Sequence, residues 1–195
     1  MRIPYTPDPP TTTDPSELEV IERVRARRHP RPLQPLDLAL LHAPPVADGW
    51  NAFLGAVRTR TTIPAAVREV AISRVAVCNR AWYEWAHHAP LAVEAGVPEA
   101  AMELVRAEPL EGVTPAARRE AGLGDREWAA LRLADEMTRH VSVRDETFAE
   151  VREHFDEREV VELVATVSCY NCVSRFLVAL DVGERNGTGP DAGHH

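Results

Sequence analysis

An all-α fold is what this sequence predicts, on three observations. Apolar residues recur at the spacing of one helix face, strand-like alternation is absent, and proline and glycine punctuate the chain at helix-length intervals. The 195 residues, 45% hydrophobic and 27% charged, are enough for one domain with a substantial core.

The elements follow in order. Residues 1–15 hold five prolines and Thr11-Thr12-Thr13, the composition of a flexible or loosely docked arm. Ser16 is placed to cap a first helix through Glu17-Leu18-Glu19-Val20-Ile21-Glu22-Arg23-Val24 that ends near Pro30. Between Pro30 and Pro45 only Leu36-Asp37-Leu38-Ala39-Leu40-Leu41 makes an apolar turn. Pro44 and Pro45 open a helix to about Arg60, with Trp50, Phe53, Leu54 and Val57 on one side.

The helical pattern starting at Pro64 reaches the Gly96 stop, which is long for a globular helix. Its weakest triplet, Cys78-Asn79-Arg80, divides it into helices 64–78 and 80–95. Val97-Pro98 starts a short helix to about Arg106, and 107–123, with Pro109, Gly112, Pro115 and Gly122, reads as a linker. Asp125 caps a helix to about His140, and two more follow at 144–155 and 157–181. The expected organisation is one helical domain over 16–182 with an N-terminal helical extension. Residues 183–195, ending Gly193-His194-His195, are expected to form a flexible tail.

Lys plus Arg number 22 against 30 Asp plus Glu, so the formal charge of −8 argues against a nucleic-acid partner. Only Arg23 to Arg31 is locally basic; with Glu19 and Glu22 beside it, it reads as a solvated helix face. No run approaches the ~20 apolar residues of a membrane span, and Met1-Arg2-Ile3-Pro4-Tyr5 leads into prolines, not an apolar leader. Three cysteines cannot all pair, so reduced thiols in the cytoplasm are expected, with no membrane association.

The segment Trp82-Tyr83-Glu84-Trp85-Ala86-His87-His88 carries the chemistry. Glu84 and His88 share one helix face, and Glu69 lies on the preceding helix. Carboxylates beside an imidazole in apolar company are the material of proton transfer. The competing reading is a buried polar network that ties two helices together. His87 lies about 100° around the helix from His88, toward pocket, neighbour or solvent. Glu-x-x-x-His alone is a weak metal spacing, and neither metal nor cofactor is expected.

Arg68 and Arg74 near the site, and Asn171 and Arg175 one turn apart on the last helix, are candidate partners for a substrate carboxylate. Surface or network roles fit those positions as well. Cys169 and Cys172 form a Cys-x-x-Cys on an apolar helix, where packing competes with a redox role. Cys78 reads as a small hydrophobe. Trp50, Phe53, Trp82 and Trp85 suit a pocket wall or plain core.

Arg68-Glu69, Tyr83-Glu84-Trp85-Ala86-His87-His88 and Ala92-Val93-Glu94-Ala95-Gly96-Val97 together resemble the carboxymuconolactone decarboxylase family, which shares its fold with the alkyl hydroperoxidase D proteins. Leu41–Trp50 and Tyr170–Phe176 also fit long members of that group, so the resemblance covers roughly 36–182, with its diagnostic part at 69–97. Peroxidase-type relatives carry a Cys-x-x-Cys, a histidine four residues after it and a glutamate twelve before it. Laid on this chain, the glutamate and histidine fall on Glu69 and His88, and the cysteine positions on Ala81 and Glu84. Both sulfurs are missing there, and Tyr-Glu-Trp is the decarboxylase-type arrangement.

The resemblance implies an alkyl hydroperoxidase D-like bundle assembling as a homo-oligomer, trimer or hexamer. It implies a cofactor-free lyase or related proton-transfer enzyme for a small carboxylated or lactone metabolite, with His88 as acid/base and Glu84 and Glu69 as partners. Two other functions stay open. One is a thiol-dependent hydroperoxide reductase using Cys169 and Cys172, and the other a non-catalytic oligomer that binds a small ligand.

Overall fold

The computed structural model describes residues 1–191, so the expectation for Gly193-His194-His195 lies outside the described residues. Ten α-helices follow one another, with no strand among the described residues. The first five are α1 Pro15–Arg28, α2 Pro35–Leu40, α3 Pro44–Thr59, α4 Ala65–Cys78 and α5 Trp82–Glu94. The rest are α6 Glu99–Val105, α7 Pro115–Ala121, α8 Asp125–His140, α9 Asp145–His154 and α10 Glu157–Leu180. The all-α fold is thus shown, and most helix ends fall where caps and breakers place them.

Two local expectations change. Helix α1 starts two residues earlier than expected, because Asp14, not Ser16, is its cap: the Asp14 carboxylate accepts the Ser16 amide at 2.8 Å. The linker 107–123 is not bare, since it holds a 3-10 turn at Leu110–Gly112 and all of α7. Its signals were local: Thr114 caps the Ala117 amide at 3.1 Å, Pro115 takes the first turn, and Gly122 closes the helix at φ 74°.

Helix α4 sits at the centre and packs on α5, α8 and α10. Residues Glu69 through Val77 are buried without a break, so the helix has no solvent face over that stretch. The chain leaves α4 through a reversal in which the Ala81 amide donates to Ala76 at 2.8 Å and the Arg80 amide to Val77 at 3.0 Å. That bond pair is a Schellman motif, and it puts Arg80 at φ 52°, where glycine is usual. The reversal lays α5 back along α4, which brings His88 opposite Glu69.

Arg74, also on α4, ties the centre to α8. It is fully buried, its Nε and Nη2 donate to Asp135 at 2.8 and 2.6 Å, and Nη1 donates to the Val105 and Ala107 carbonyls at 2.8 and 2.7 Å. All of its donor edge is consumed inside the protein. The expectation that Arg74 binds substrate is therefore corrected: it is a structural tie.

Residues 1–14, expected as a flexible or loosely docked arm, are hydrogen-bonded to the body. The Arg2 amide donates to Leu180 at 2.8 Å, the Thr6 hydroxyl to Leu38 at 2.6 Å, and the Gly183 amide to the Tyr5 hydroxyl at 2.8 Å. A proline-rich segment makes few bonds within itself, and here its polar groups meet the free groups of helix ends. The described part of the tail docks likewise, with the Trp85 indole donating to the Pro190 carbonyl at 3.2 Å. By length and composition α10 passes the test for a membrane span, but half of its apolar window is buried within the protein, as in a core helix.

Arg74→Met should cost about 3 kcal/mol in urea unfolding, because two carbonyls lose their partner and Asp135 is left with Arg139 and the Cys78 thiol. A loss below about 1 kcal/mol would show that the tie is not what holds α4 to α8.

Candidate active site

Glu69 reaches the site from the second turn of α4, and Glu84 and His88 from successive turns of α5. All three are buried. His88 Nδ1 and Glu69 Oε2 lie 2.6 Å apart, a short bond between imidazole and carboxylate. The carboxylate can only accept, so Nδ1 carries the proton and Nε2 is left as the basic nitrogen. Burial pushes the His88 pKa down, with the Glu69 bond opposing it. Burial also works to raise Glu69, but the His88 hydrogen bond and the charges of His88 and Arg68 outweigh it and hold the carboxyl below its usual range. At neutral pH the pair is therefore a neutral imidazole held by an ionised carboxylate.

Glu84 behaves differently. Its hydrogen bonds come from the Ser174 hydroxyl, 3.1 and 3.0 Å from the two carboxyl oxygens, and none goes to His88. Burial raises its pKa well above the usual value, and the Ser174 bond offsets only part of that. The expected three-membered Glu69–His88–Glu84 relay is thus corrected to a Glu69–His88 pair beside a separate, neutral carboxyl.

Glu84, His87 and His88 line a chamber of about 110 Å³ with Trp50, Tyr83 and Tyr170. Tyr170, on α10, stands edge-on to the His88 ring with centroids 4.9 Å apart. Its hydroxyl and the Trp50 indole nitrogen are buried without a hydrogen-bond partner among the described residues. Burial raises the Tyr170 pKa, so the hydroxyl keeps its proton. Tyr83 packs on His87 at 4.4 Å, and its ring fills the space above Gly183. A methyl group there would lie 2.3 Å from a Tyr83 ring carbon, and φ is 74°, so only glycine fits.

Beside the chamber lies a vestibule of about 590 Å³ bordered by Arg27, Arg28, Arg31, Arg58, Arg68, Glu69 and Glu94. The expected solvated face at Arg23–Arg31 is corrected here, because three of its arginines border the route to His88. Arg28 holds the buried Asp37 through two bonds of 2.7 and 2.9 Å, and Arg27 adds a third of 3.1 Å. Arg68, expected near the substrate, borders this vestibule and donates to Glu69 at 3.2 Å.

With that geometry in hand, the comparisons can be read. The sequence profile of the carboxymuconolactone decarboxylase family matches residues 44–136. Over those residues the chain is similar to the carboxymuconolactone decarboxylase family. The structure is similar to that of an uncharacterized peroxidase-related protein from Silicibacter sp. TM1040, with TM-score 0.70, 16% identity and 95% of each chain covered. It is also similar to the debrominase Bmp8 in complex with 2,3,4-tribromopyrrole, with TM-score 0.65, 17% identity, and 86% of this chain and 84% of that one covered. At such identities the likeness is one of fold. No curated protein matches the chain.

The remaining sequence candidates lie elsewhere. Asn171 donates to the Thr138 hydroxyl at 2.9 Å and accepts from Asn79 at 3.2 Å, which places it between α4, α8 and α10 and outside the chamber. Arg175 is bound to Asn171, its Nη1 3.0 Å from the Asn171 carbonyl. Both expected substrate contacts are therefore corrected to a polar network on the opposite side of α10. Cys169 and Cys172 border an apolar groove with Pro45, Val46 and Phe53, separated from the chamber by Trp50, Leu54 and Val173, which line both. Burial pushes the Cys169 thiol up to about 12.

Sequence reading missed Ser174, Tyr170 and Arg58. Ser174 and Tyr170 are one turn apart on α10, a face signal hidden in a uniformly apolar helix. Arg58 gave no signal, since only the folding of α3 against α1 puts it at the site.

Glu84 has a pH signature. Its folded pKa lies above the unfolded value of 4.5, so its contribution is fully present below pH 4.5 and is lost as pH rises toward the folded value. Glu84→Gln, which cannot ionise, should flatten that decline and raise the melting temperature at pH 8 relative to wild type. A pH–stability curve parallel to wild type above pH 4.5 would place a charged carboxylate in the chamber instead.

Proposed function

We propose that this protein is a cofactor-free proton-transfer enzyme acting at a carbon conjugated to a carbonyl, in a small carboxylated or lactone metabolite. The observation that carries the reading is a base and an acid facing one chamber, the neutral His88 held at 2.6 Å by Glu69 and the neutral carboxyl of Glu84. Environments that push two titratable groups apart in this way are how acid and base roles are divided.

His88 Nε2 takes a proton from carbon, and Glu69 stabilises the imidazolium that forms. Glu84 directs its O–H at the oxygen gaining charge, and the Tyr170 hydroxyl is a second donor for it. In decarboxylation of a carboxylated lactone the carbon–carboxylate bond breaks, and its electron pair moves into the conjugated carbonyl. Carbon dioxide leaves, and one proton is added to carbon. With His88 unprotonated at rest, Glu84 supplies that proton and regains one from solvent. Proton delivery thereby moves from His88, where the sequence reading put it, to Glu84.

The thiol reductase reading has less support, since burial disfavours the Cys169 thiolate and Trp50, Leu54 and Val173 part both cysteines from His88. The expected trimer or hexamer belongs to the same proposal, with exposed Val46 and Phe53 on α3 and Val161 on α10 as its apolar contacts. Light scattering that finds a monomer at micromolar concentration would remove that part.

Activity is measured by the loss of ultraviolet absorbance of γ-carboxymuconolactone, and by solvent deuterium entering activated C–H positions of related lactones. His88→Ala and Glu69→Gln should each lower deuterium incorporation, and Glu84→Gln decarboxylation, by roughly 10²–10⁴-fold. Deuterium incorporation that survives in His88→Ala, decarboxylation that survives in Glu84→Gln, or peroxide consumption lost only in Cys172→Ser, would overturn the reading.

A further inference from the structure

We propose that Arg58 is the anchor of an anion site at the neck between vestibule and chamber, so that the ligand is a bipartite acid. Its negative group rests on Arg58, while its reacting end enters the chamber beside His88. This rests on the chamber being the reaction site; the anion site itself stands on the arginines.

Five guanidinium groups border the vestibule of a chain whose formal charge is −8. Three of them are already engaged: Arg27 and Arg28 share the single charge of Asp37, and Arg68 donates to Glu69. Arg31 and Arg58 have no ion-pair partner among the described residues. Both line the chamber and the vestibule, and of the two only Arg58 is half-buried. A guanidinium kept partly out of water with no counter-charge is unfavourable until an anion arrives, and its planar fork fits a carboxylate or a phosphate with two bonds.

The surroundings sharpen the choice of ligand. The charge of Arg58 is felt at Glu69, His88 and Tyr170, so an anion bound to it lies close to the reacting groups. Glu69 cannot serve as the missing counter-ion, because one oxygen is held by His88 and the other by Arg68. Arg58 lines the chamber together with Glu84, His88, Tyr170 and Trp50, so an anion held by it stays within reach of the groups that face the reacting end. Arg27 and Arg28 come from α1 and Arg31 from just after it, all ahead of the family-matched residues 44–136. The wall of the site is thus partly built by this chain's N-terminal extension.

Two probes test the site on the full chain, glutarate for a carboxylate end and inorganic phosphate for a phosphate ester. Binding is read by tryptophan fluorescence and thermal shift. At least one probe should bind saturably, more weakly as sodium chloride rises. Arg58→Gln should weaken binding by about ten-fold or more, and Arg58→Lys by less, since it keeps the charge and loses the fork. Arg60→Gln, exposed and bordering neither cavity, should bind like wild type. Tighter glutarate assigns a carboxylate end, and tighter phosphate a phosphate ester.

No saturable binding of either probe, or equal binding by wild type and Arg58→Gln, overturns the proposal. Binding that needs Arg58 and persists in His88→Ala, with no turnover of any substrate, keeps the anion site and defeats the proposed function. Turnover whose KM is unmoved in Arg58→Gln does the reverse.

Discussion

A helix with no solvent face must find partners inside the protein for every charge it carries, and α4 is such a helix. Its two charged residues in the buried stretch are Glu69 and Arg74, and each is resolved by a different neighbour. Arg74 turns to α8 and the end of α6, where Asp135 and two carbonyls absorb it. Glu69 turns to α5, where the partner is a histidine that can also titrate. The first solution is static. The second leaves a basic nitrogen on the far side of the ring, so one burial requirement yields a tie on one side of α4 and a reactive group on the other.

The replacement at Glu84 follows the same logic. In peroxidase-type relatives this position, four residues before the histidine, is a cysteine, and the chemistry depends on an ionised sulfur. Here a carboxyl occupies it in an environment that disfavours charge, with only a serine hydroxyl as partner. Held neutral by burial, it presents an O–H at that turn of α5. The fold is similar to those of a peroxidase-related protein and a debrominase, and a similar fold does not fix the reaction.

The sequence was most informative where physics acts locally. Helix ends came from Pro44 and Gly96, and the α4–α5 break from the weak Asn79-Arg80 step, because caps and breakers act over one turn; Asp125, expected as a cap, is instead the first residue of α8, with Gly124 at the cap position. Glu69, Glu84 and His88 were legible as one constellation through the family spacing, yet their pairing was not. Whether Glu84 meets His88 or Ser174 is settled by the position of α10, ninety residues away in sequence. Arg74, Asn171 and Arg175 failed as ligand candidates for the same reason. A buried arginine and a surface one look alike in sequence, and only the placing of Asp135 and Thr138 separates tie from contact.

Net charge misleads in a related way. A balance of −8 excludes a broad basic face, which is why nucleic acid was set aside, but it says nothing about a concave site a few residues wide. Asp37 shows how the local field is kept. Buried at the start of α2, it accepts from Arg27, Arg28 and the Gln34 amide, and so fixes α1 against α2 while cancelling one positive charge of two. The vestibule stays net positive, five guanidinium groups against Glu69 and Glu94, and low-dielectric walls strengthen a field held in a concave site. An acidic protein that attracts anions to one point requires that arrangement: a carboxylate deep enough to orient the arginines, and too few carboxylates to neutralise them.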